Sequence, residues 1–550
     1  MGSKLESSGE FRDSSDALVR YMAGIVLTCL VFSTGCAPLK TWWHNGFKVG
    51  PDYAKPATEV AETWIDFNDP RVISTSHGVD EGAWWQTFGD PTMDELVFQA
   101  YASNLPLRIA GMRVLESQSQ RAIAAGNLFP QFQQAFGNYQ RTQLSQNGNP
   151  FGDAVDLPAR AFSLWTHGFT ASWELDVWGR LRRLIESADA NVDVSIEIYD
   201  DVLLSLIAET ASAYVDVRAF QGRIRLAEAN VKTQERSLGL AESRYRNGVV
   251  SKLDVTQALS NLEQTRALIP VLKKGMRQAN NRLCVLLGTP PCDLTLEFGD
   301  GPIPSAVKEV AVGMPADLVR RRPDIRRAER EVASQSALIG VAIADLFPSF
   351  TIDGSINWQA NQFKDVFESA SNAGMLAPAF NWNILNYGRI INHVAVQDAR
   401  FQQLALNYQQ TVIEAGADVE NSIVEFLRSQ EQAATLERGV AATVESVQIV
   451  TRQYQEGKID FDRVNNLQRD LVVQQDALAV AQADVALGLI GIYRAMGGGW
   501  QIRLDQYTPL NGEEEIAEAQ PLPLGIEPPL PALNGEPVIL NRPVEENAAL

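Results

Sequence analysis

The chain is poor in the residues that usually carry chemistry. Its 550 residues hold four histidines, His44, His77, His167 and His393, and they are scattered. No H-E-x-x-H, G-x-x-x-x-G-K-[ST] or G-x-S-x-G pattern occurs, so no metal, phosphate or acyl-transfer site is signalled. The four cysteines build no metal or redox motif. Neither cofactor nor catalytic residue is expected, and an enzymatic role has no constellation behind it. Basic charge is also short, with 47 Lys and Arg against 67 Asp and Glu. That balance argues against a nucleic-acid surface and favours cations along any internal cavity. Glycine (39) and proline (26) show no excess of the kind that marks a fibrous or wholly disordered chain.

The apolar run Ala23 to Phe32 has about ten residues, well short of the roughly 18 to 20 that span a bilayer as a helix. Arg20 precedes it and small residues follow, the pattern of a signal-peptide core; a buried core helix is the alternative. "STGC", Ser33 to Cys36, ends in the Gly-Cys junction of a lipobox, with Ser33 where leucine is usual. The mixed-charge stretch before Arg20 is long for such a signal, so translation starting later is a second option. Residues 1–35 are read as signal peptide and 36–83 as a lipidated N-terminal segment anchored through Cys36. Ala37 offers no aspartate that would argue for inner-membrane retention. With Cys29 removed and Cys36 acylated, Cys284 and Cys292 remain, either as a disulfide closing a small loop or as two free thiols.

An internal repeat organises the rest. Pro130 in "NLFPQF" and Pro348 in "DLFPSF" lie 218 residues apart. Trp173 and Trp382, Gly179 and Gly388, and Gly248 and Gly457 lie 209 apart. The first copy therefore holds nine more residues between its proline and its Trp-x-x-x-x-x-Gly-Arg motif. The repeats are placed at 84–299 and 316–500, with a linker at 300–315. Residues 501–550 form a Pro- and Glu-rich tail, expected to be disordered.

Within each copy the hydrophobic period changes twice. Phe350, Ile352, Ile356 and Trp358 alternate with Thr351, Asp353, Ser355 and Asn357, the period-two signature of a strand apolar on one side. Phe380, Trp382 and Ile384 alternate with asparagines, and Trp165, Phe169, Ala171, Trp173 and Leu175 do the same in the first copy. Each copy thus holds two strands, and the aromatic residue two positions after each proline is expected to begin the strand's outward face. Apolar outward faces, polar inward ones and terminal aromatics suit an outer-membrane barrel, although a soluble sandwich would alternate similarly. Leu203, Thr210, Val217, Ile224, Val231, Leu238 and Tyr245 then lie seven apart, a sustained coiled-coil heptad. Gly179 to Gly248 makes a rod of roughly 100 Å, and a single helix over about Thr92 to Leu128 would fill the length that the shorter return leg leaves. Four strands cannot close a barrel, because open edges in lipid leave backbone groups unpaired at several kcal/mol each. A chain with those strands in a membrane has to oligomerise. The heptads and lipobox alone would also permit a lipid-anchored periplasmic coiled-coil scaffold without a pore.

"VGPDYAKP" (from Val49), "WWQTFGDPTMDELV" (from Trp84), "SWELDVWGRLRR", "RRRPDIRRAE", "WNILNYGR" and "YRAMGGGW" (ending at Trp500), with the two LFP motifs, resemble the TolC-like outer-membrane efflux factors of the NodT and OprM lipoprotein branch. The resemblance implies an α+β membrane protein: a homotrimeric 12-stranded β-barrel, four strands per chain, continuous with a long periplasmic α-helical barrel. It implies a passive exit duct of a tripartite efflux or secretion system, with a periplasmic adaptor and an inner-membrane pump as partners. It further implies adaptor docking at the helix tips, through Arg244, Gly248, Ser251, Asp254 and Gly457. At the family's periplasmic gate an aspartate precedes an arginine by three residues; here Arg469 is retained but Asn466 replaces the aspartate. Asp460 and Asp462, one turn earlier, either take over that role or are solvated charges at a helix entrance.

Overall fold

The structure, a computed structural model, describes residues 42–58, 60–74, 81–143, 161–313 and 315–505. The expected signal peptide and lipidation site Cys36, residues 144–160 and residues 506–550 lie outside the described residues.

The expected single helix before the strands is two, α1 (Pro91–Ser103) and α2 (Leu105–Gly126). Asn104 divides them in an extended conformation (φ −61°, ψ 124°), with its side chain accepting from the Leu107 N–H at 2.9 Å. Pro106 has no N–H to continue a helix running on from α1 but is tolerated in the first turn of a new one, and asparagine is a preferred N-cap. The Asn104 amide also donates to the Leu286 carbonyl at 2.8 Å, so the break is used as a tether.

Two long hairpins follow. α3 (Arg180–Arg246) and α4 (Lys252–Leu286) form the first. After α5 (Pro323–Ala344), α6 (Arg389–Gln455) and α7 (Phe461–Ala495) form the second. α3 and α6 each have 67 residues and α4 and α7 each have 35, or about 100 Å and about 50 Å of helix. α2 and α5 pack along the part of α3 that α4 does not reach, and α5 also packs on α6. The heptad explains this packing. Leu203, Thr210, Val217 and Ile224 are buried on α3, as are Val412, Val419, Phe426, Val447 and Tyr454 on α6. Tyr245 departs from the pattern, at 45% exposed against 1% for its counterpart Tyr454. α7 is apolar enough to cross a bilayer, yet half of its most apolar window is buried in the fold.

The helices meet in an aromatic and ionic core. Trp84 and Trp85 are fully buried, and Trp84 stacks on Tyr493 at 5.3 Å and donates to the Gly498 carbonyl. Fully burying one such side chain is worth about 1.5–3 kcal/mol. Beside them, Arg503 holds the buried carboxylate of Asp200 through two hydrogen bonds of 2.8 Å. Arg326 pairs with Glu197 at 2.6 Å. The ring of Trp500 faces both guanidinium groups, 4.8 Å from Arg326 and 5.8 Å from Arg503. The clasp ties the end of the second half to α3 in the first.

A short parallel pair joins β1 (Val72–Ser74) to β4 (Val310–Val312). The larger sheet is antiparallel, ordered β2 (Phe132–Gln143), β3 (Ala161–Leu175), β5 (Ser349–Ala360), β6 (Asn372–Asn381). Its register sets Leu175 opposite Phe350, Trp173 opposite Ile352 and Phe350 opposite Phe380. Opposed residues share a face, so Trp165, Phe169, Trp173, Ile352, Ile356, Trp358, Leu376 and Phe380 lie on one side. Thr170, Ser172, Glu174, Thr351, Asp353, Ser355 and Asn357 lie on the other. Ser172 donates to Asp353 there at 2.6 Å.

Two strand expectations need correction. β6 ends at Asn381, so Trp382 and Ile384 do not continue the alternation as strand; the Ile384 N–H instead bonds the Trp382 carbonyl at 3.0 Å. Phe350 begins the apolar face as expected, whereas Phe132 does not, because it stands opposite Ser172 on the polar face. The cause is Gln131. Its side-chain amide accepts from the Glu174 N–H at 2.7 Å and donates to the Glu174 carbonyl at 3.2 Å. A side chain occupies the position of a strand partner, which delays the ladder by one residue and turns every following side chain over.

Candidate functional site at the hairpin tips and the helix-to-sheet junction

Both hairpins turn on a glycine in the left-handed region, Gly248 at φ 70° and Gly457 at φ 77°. A residue with a Cβ is strained there. Ser251 caps α4, accepting from the Leu253 N–H at 3.2 Å, and bonds Asp254 at 3.2 Å. Gly248, Val249, Ser251, Leu253 and Gly457 are exposed. Arg244 and Asp254 turn instead toward the other hairpin. The guanidinium of Arg244 lies 4.6 Å over the ring of Tyr454 and donates to the Tyr454 carbonyl. The Tyr454 hydroxyl donates to Asp254 at 3.3 Å, and its ring meets Phe461 edge-on at 5.3 Å. Burial, reinforced by the Asp254 charge and opposed by Arg244, pushes the Tyr454 phenol up to about 12. It therefore remains a hydrogen-bond donor at any physiological pH.

This contact ends a longer polar seam. Arg223 grips Asp476 with bonds of 2.7 and 2.9 Å. Asn230 donates to Gln475 at 2.7 Å, and Gln468 donates to Ser237 at 2.7 Å. Positions 223, 230, 237 and 244 are seven apart, each one residue before a position of the apolar heptad. Sequence reasoning read the apolar stripe and missed its polar neighbour. The signal was present as a polar residue at every seventh place. The seam joins α3 to the second hairpin, to α7 along its length and to α6 at the tip, where an apolar cluster of Ala241, Tyr454, Phe461 and Val464 adjoins it.

The expected gate residues fall into two groups. Asp462, Asn466 and Arg469 form a chain along α7, with Asn466 donating to Asp462 at 3.0 Å and Arg469 donating to Asn466 at 3.1 Å. Asn466 thus relays between the carboxylate and the guanidinium. Asp460 is the N-cap residue of α7, and its side chain makes no capping bond. Cys284 is buried and Cys292 exposed, and their sulfurs lie 3.8 Å apart.

At the opposite end of the long helices, indole N–H groups pin the junction with the sheet. Trp173 donates to the Leu128 carbonyl and Trp382 to the Leu346 carbonyl, each at 3.0 Å. Both carbonyls lie two residues before the LFP proline, where α2 and α5 have just stopped. Trp178 donates to Pro348 at 2.8 Å and stacks on Phe347 at 4.6 Å. Trp42 joins this cluster, 5.5 Å from Trp178, with its indole on the Val177 carbonyl, whereas Trp43 is 65% exposed. Arg180 holds Glu174 on the polar face, with Nη2 donating to both carboxylate oxygens at 2.7 and 2.8 Å and Nε to one of them at 3.1 Å.

The sequence profile of outer membrane efflux proteins matches residues 96–289 and 314–498, which span both hairpins and the whole four-stranded sheet. The chain belongs to this outer membrane efflux protein family. It is 31% identical to nodulation protein T of Rhizobium leguminosarum bv. trifolii over 472 residues, 85% of this chain and 98% of the relative. It is 30% identical to the pyoverdine export outer membrane protein OpmQ of Pseudomonas aeruginosa, over 78% of this chain and 89% of that one. Among solved structures, the outer-membrane channel OprN aligns with a TM-score of 0.77 at 32% identity, covering 82% of this chain and 99% of that one. The protein is thus an efflux channel component of the outer membrane.

Proposed function

We propose that three copies close a twelve-stranded barrel in the outer membrane, continued by a helical tunnel, and form the passive exit duct of a tripartite efflux system. The observation that carries this is the sheet. Its central strands, β3 and β5, carry their large apolar residues on one face and polar residues on the other, and the outer edges of β2 and β6 lack a partner among the described residues. Strands of 10 to 15 residues are long enough to cross a bilayer, and unpaired edges in lipid are untenable. The length and pairing of the two hairpins support the tunnel, and the polar sheet face would continue its lining.

The internal repeat gives each chain two tips, so a trimer presents six. We assign adaptor docking to their exposed surface at Gly248, Ser251, Leu253 and Gly457, with Arg244 and Asp254 acting from beneath by fixing the tips to one another. Widening the mouth has to part the hairpins, and the Tyr454–Asp254 bond is one of the contacts that join their tips. We assign constriction of the mouth to Asp462, Asn466 and Arg469, with Asp460 at the edge. The inner-membrane pump supplies the energy, and acylation of Cys36 anchors the chain to the outer membrane. Native mass spectrometry of the detergent-extracted protein tests the assembly. A species of three chains is expected, and a monomer or dimer as the largest stable species would overturn it.

A further inference from the structure

The two halves of the chain are built alike, and one contact made inside the chain has both of its counterparts lying open. Trp178 immediately precedes Gly179 and Arg180 at the start of α3. It stacks on Phe347 and donates to Pro348, locking β3 beside β5. The residue in the same place before α6 is Tyr387, followed by Gly388 and Arg389; the residues matching Phe347 and Pro348 are Phe129 and Pro130. Tyr387 is 94% exposed and Phe129 is 69% exposed. Tyr387 is also held at φ 52°, a left-handed conformation that few residues other than glycine adopt. Such strain persists where a further contact fixes it.

We infer that Tyr387 stacks on Phe129 of the neighbouring copy, and that β6 pairs with that copy's β2 with Phe380 opposite Gly137. This rests on the proposed ring of three. The register follows from the chain itself. β3 faces β5 with Trp173 opposite Ile352, and Trp173 matches Trp382 at 209 residues. β2 and β5 match at 217 rather than 218, because Phe132 pairs with Ser172 as Ser349 pairs with Asn381. The extra residue is Gln131, whose side chain has taken the first ladder position. Carrying the β3–β5 register over with these spacings sets Trp382 opposite Ala135, Phe380 opposite Gly137 and Leu376 opposite Arg141. Each pair then joins two apolar-face positions. The uncorrected spacing would set Phe380 opposite Phe136 and join the apolar face to the polar one, which a sheet in a bilayer cannot do. The partner that fits this surface is therefore a second copy in one register.

Cysteine pairs read the register directly, because opposed residues on paired strands lie within disulfide reach. A side chain fits at Gly137, where an added Cβ would meet its nearest neighbour at 3.8 Å. The full chain is expressed in its membrane with Phe380→Cys and Gly137→Cys together, and oxidised mildly. Dimer and trimer bands on a non-reducing gel are expected, with Phe380→Cys plus Phe136→Cys giving none and the single variants reporting any background from Cys284 and Cys292. Tyr387→Ala is expected to lower the temperature at which the trimer dissociates, and Tyr387→Trp to restore it, since Trp178 makes the same contact within the chain. A trimer that cross-links through Phe136 instead, or that is indifferent to Tyr387→Ala, overturns this inference and leaves the ring intact. Absence of a trimer overturns both.

Discussion

Glu197→Gln should change how stability depends on pH. Glu197 lies on α3 at 5% exposure. One carboxylate oxygen is 2.6 Å from Arg326, and the other is buried without a hydrogen-bond partner. Burial pushes its pKa from 4.5 up to about 7, assisted by the Asp200 charge and opposed by Arg326. Desolvation therefore outweighs the ion pair, as is common for buried pairs. The folded state holds this proton where the unfolded chain has released it. The stability contributed by the protonated group is complete below 4.5 and is lost as pH rises to about 7. At about 1.4 kcal/mol per pH unit, the interval is worth at most roughly 3–4 kcal/mol. Arg503, Arg326 and Asp200 face the same site, and the Asp200 carboxyl is itself raised by burial, so the wild-type slope includes more than one group. The difference between wild type and Glu197→Gln isolates the one substituted. Denaturant midpoints in detergent at several pH values between 4 and 8 should show a falling wild-type curve, a flatter variant curve, and a variant more stable at pH 8. Parallel curves would refute the reasoning.

Arg503→Met leaves the Asp200 carboxylate, 0% exposed, without its bidentate partner, and should cost about 3–5 kcal/mol at neutral pH; unfolding midpoints check this, and adding Asp200→Asn should recover much of it. Tyr454→Phe removes the hydroxyl bonded to Asp254 while keeping the ring on Phe461, a loss of about 1 kcal/mol at the tip. Faster proteolysis at the Gly457 turn is expected, with the overall melting temperature almost unchanged. Trp382→Phe and Trp173→Phe each lose an indole bond and should each cost about 1 kcal/mol, whereas Trp43→Phe, at an exposed ring, should be neutral by the same unfolding assay.

The long helices were legible because their determinants are local and periodic: residues seven apart from Leu203 to Ile224 bury as a stripe. The strands from Trp165 to Leu175 and Phe350 to Trp358 were legible for the same reason at period two. What was hidden depends on single side chains replacing backbone. Gln131 substitutes for a strand partner and inverts Phe132, and Asn104 caps one helix while tethering another, and neither leaves a periodic trace. At the tips, turn residues Gly248 and Gly457 were readable from their chemistry. That Arg244 and Asp254 engage Tyr454 was not, because the two hairpins meet only in three dimensions. The unequal fates of Tyr245 and Tyr454 have the same origin: equal heptad places lie on hairpins with different neighbours.

The central claim is that this chain forms a continuous duct. Single-channel recording of the purified trimer in a planar bilayer tests it most directly. The account predicts discrete conductance steps, brief in the wild type and longer-lived in Tyr454→Phe, where the hairpins part more easily. A correctly folded trimer that inserts and carries no current in either form would contradict it.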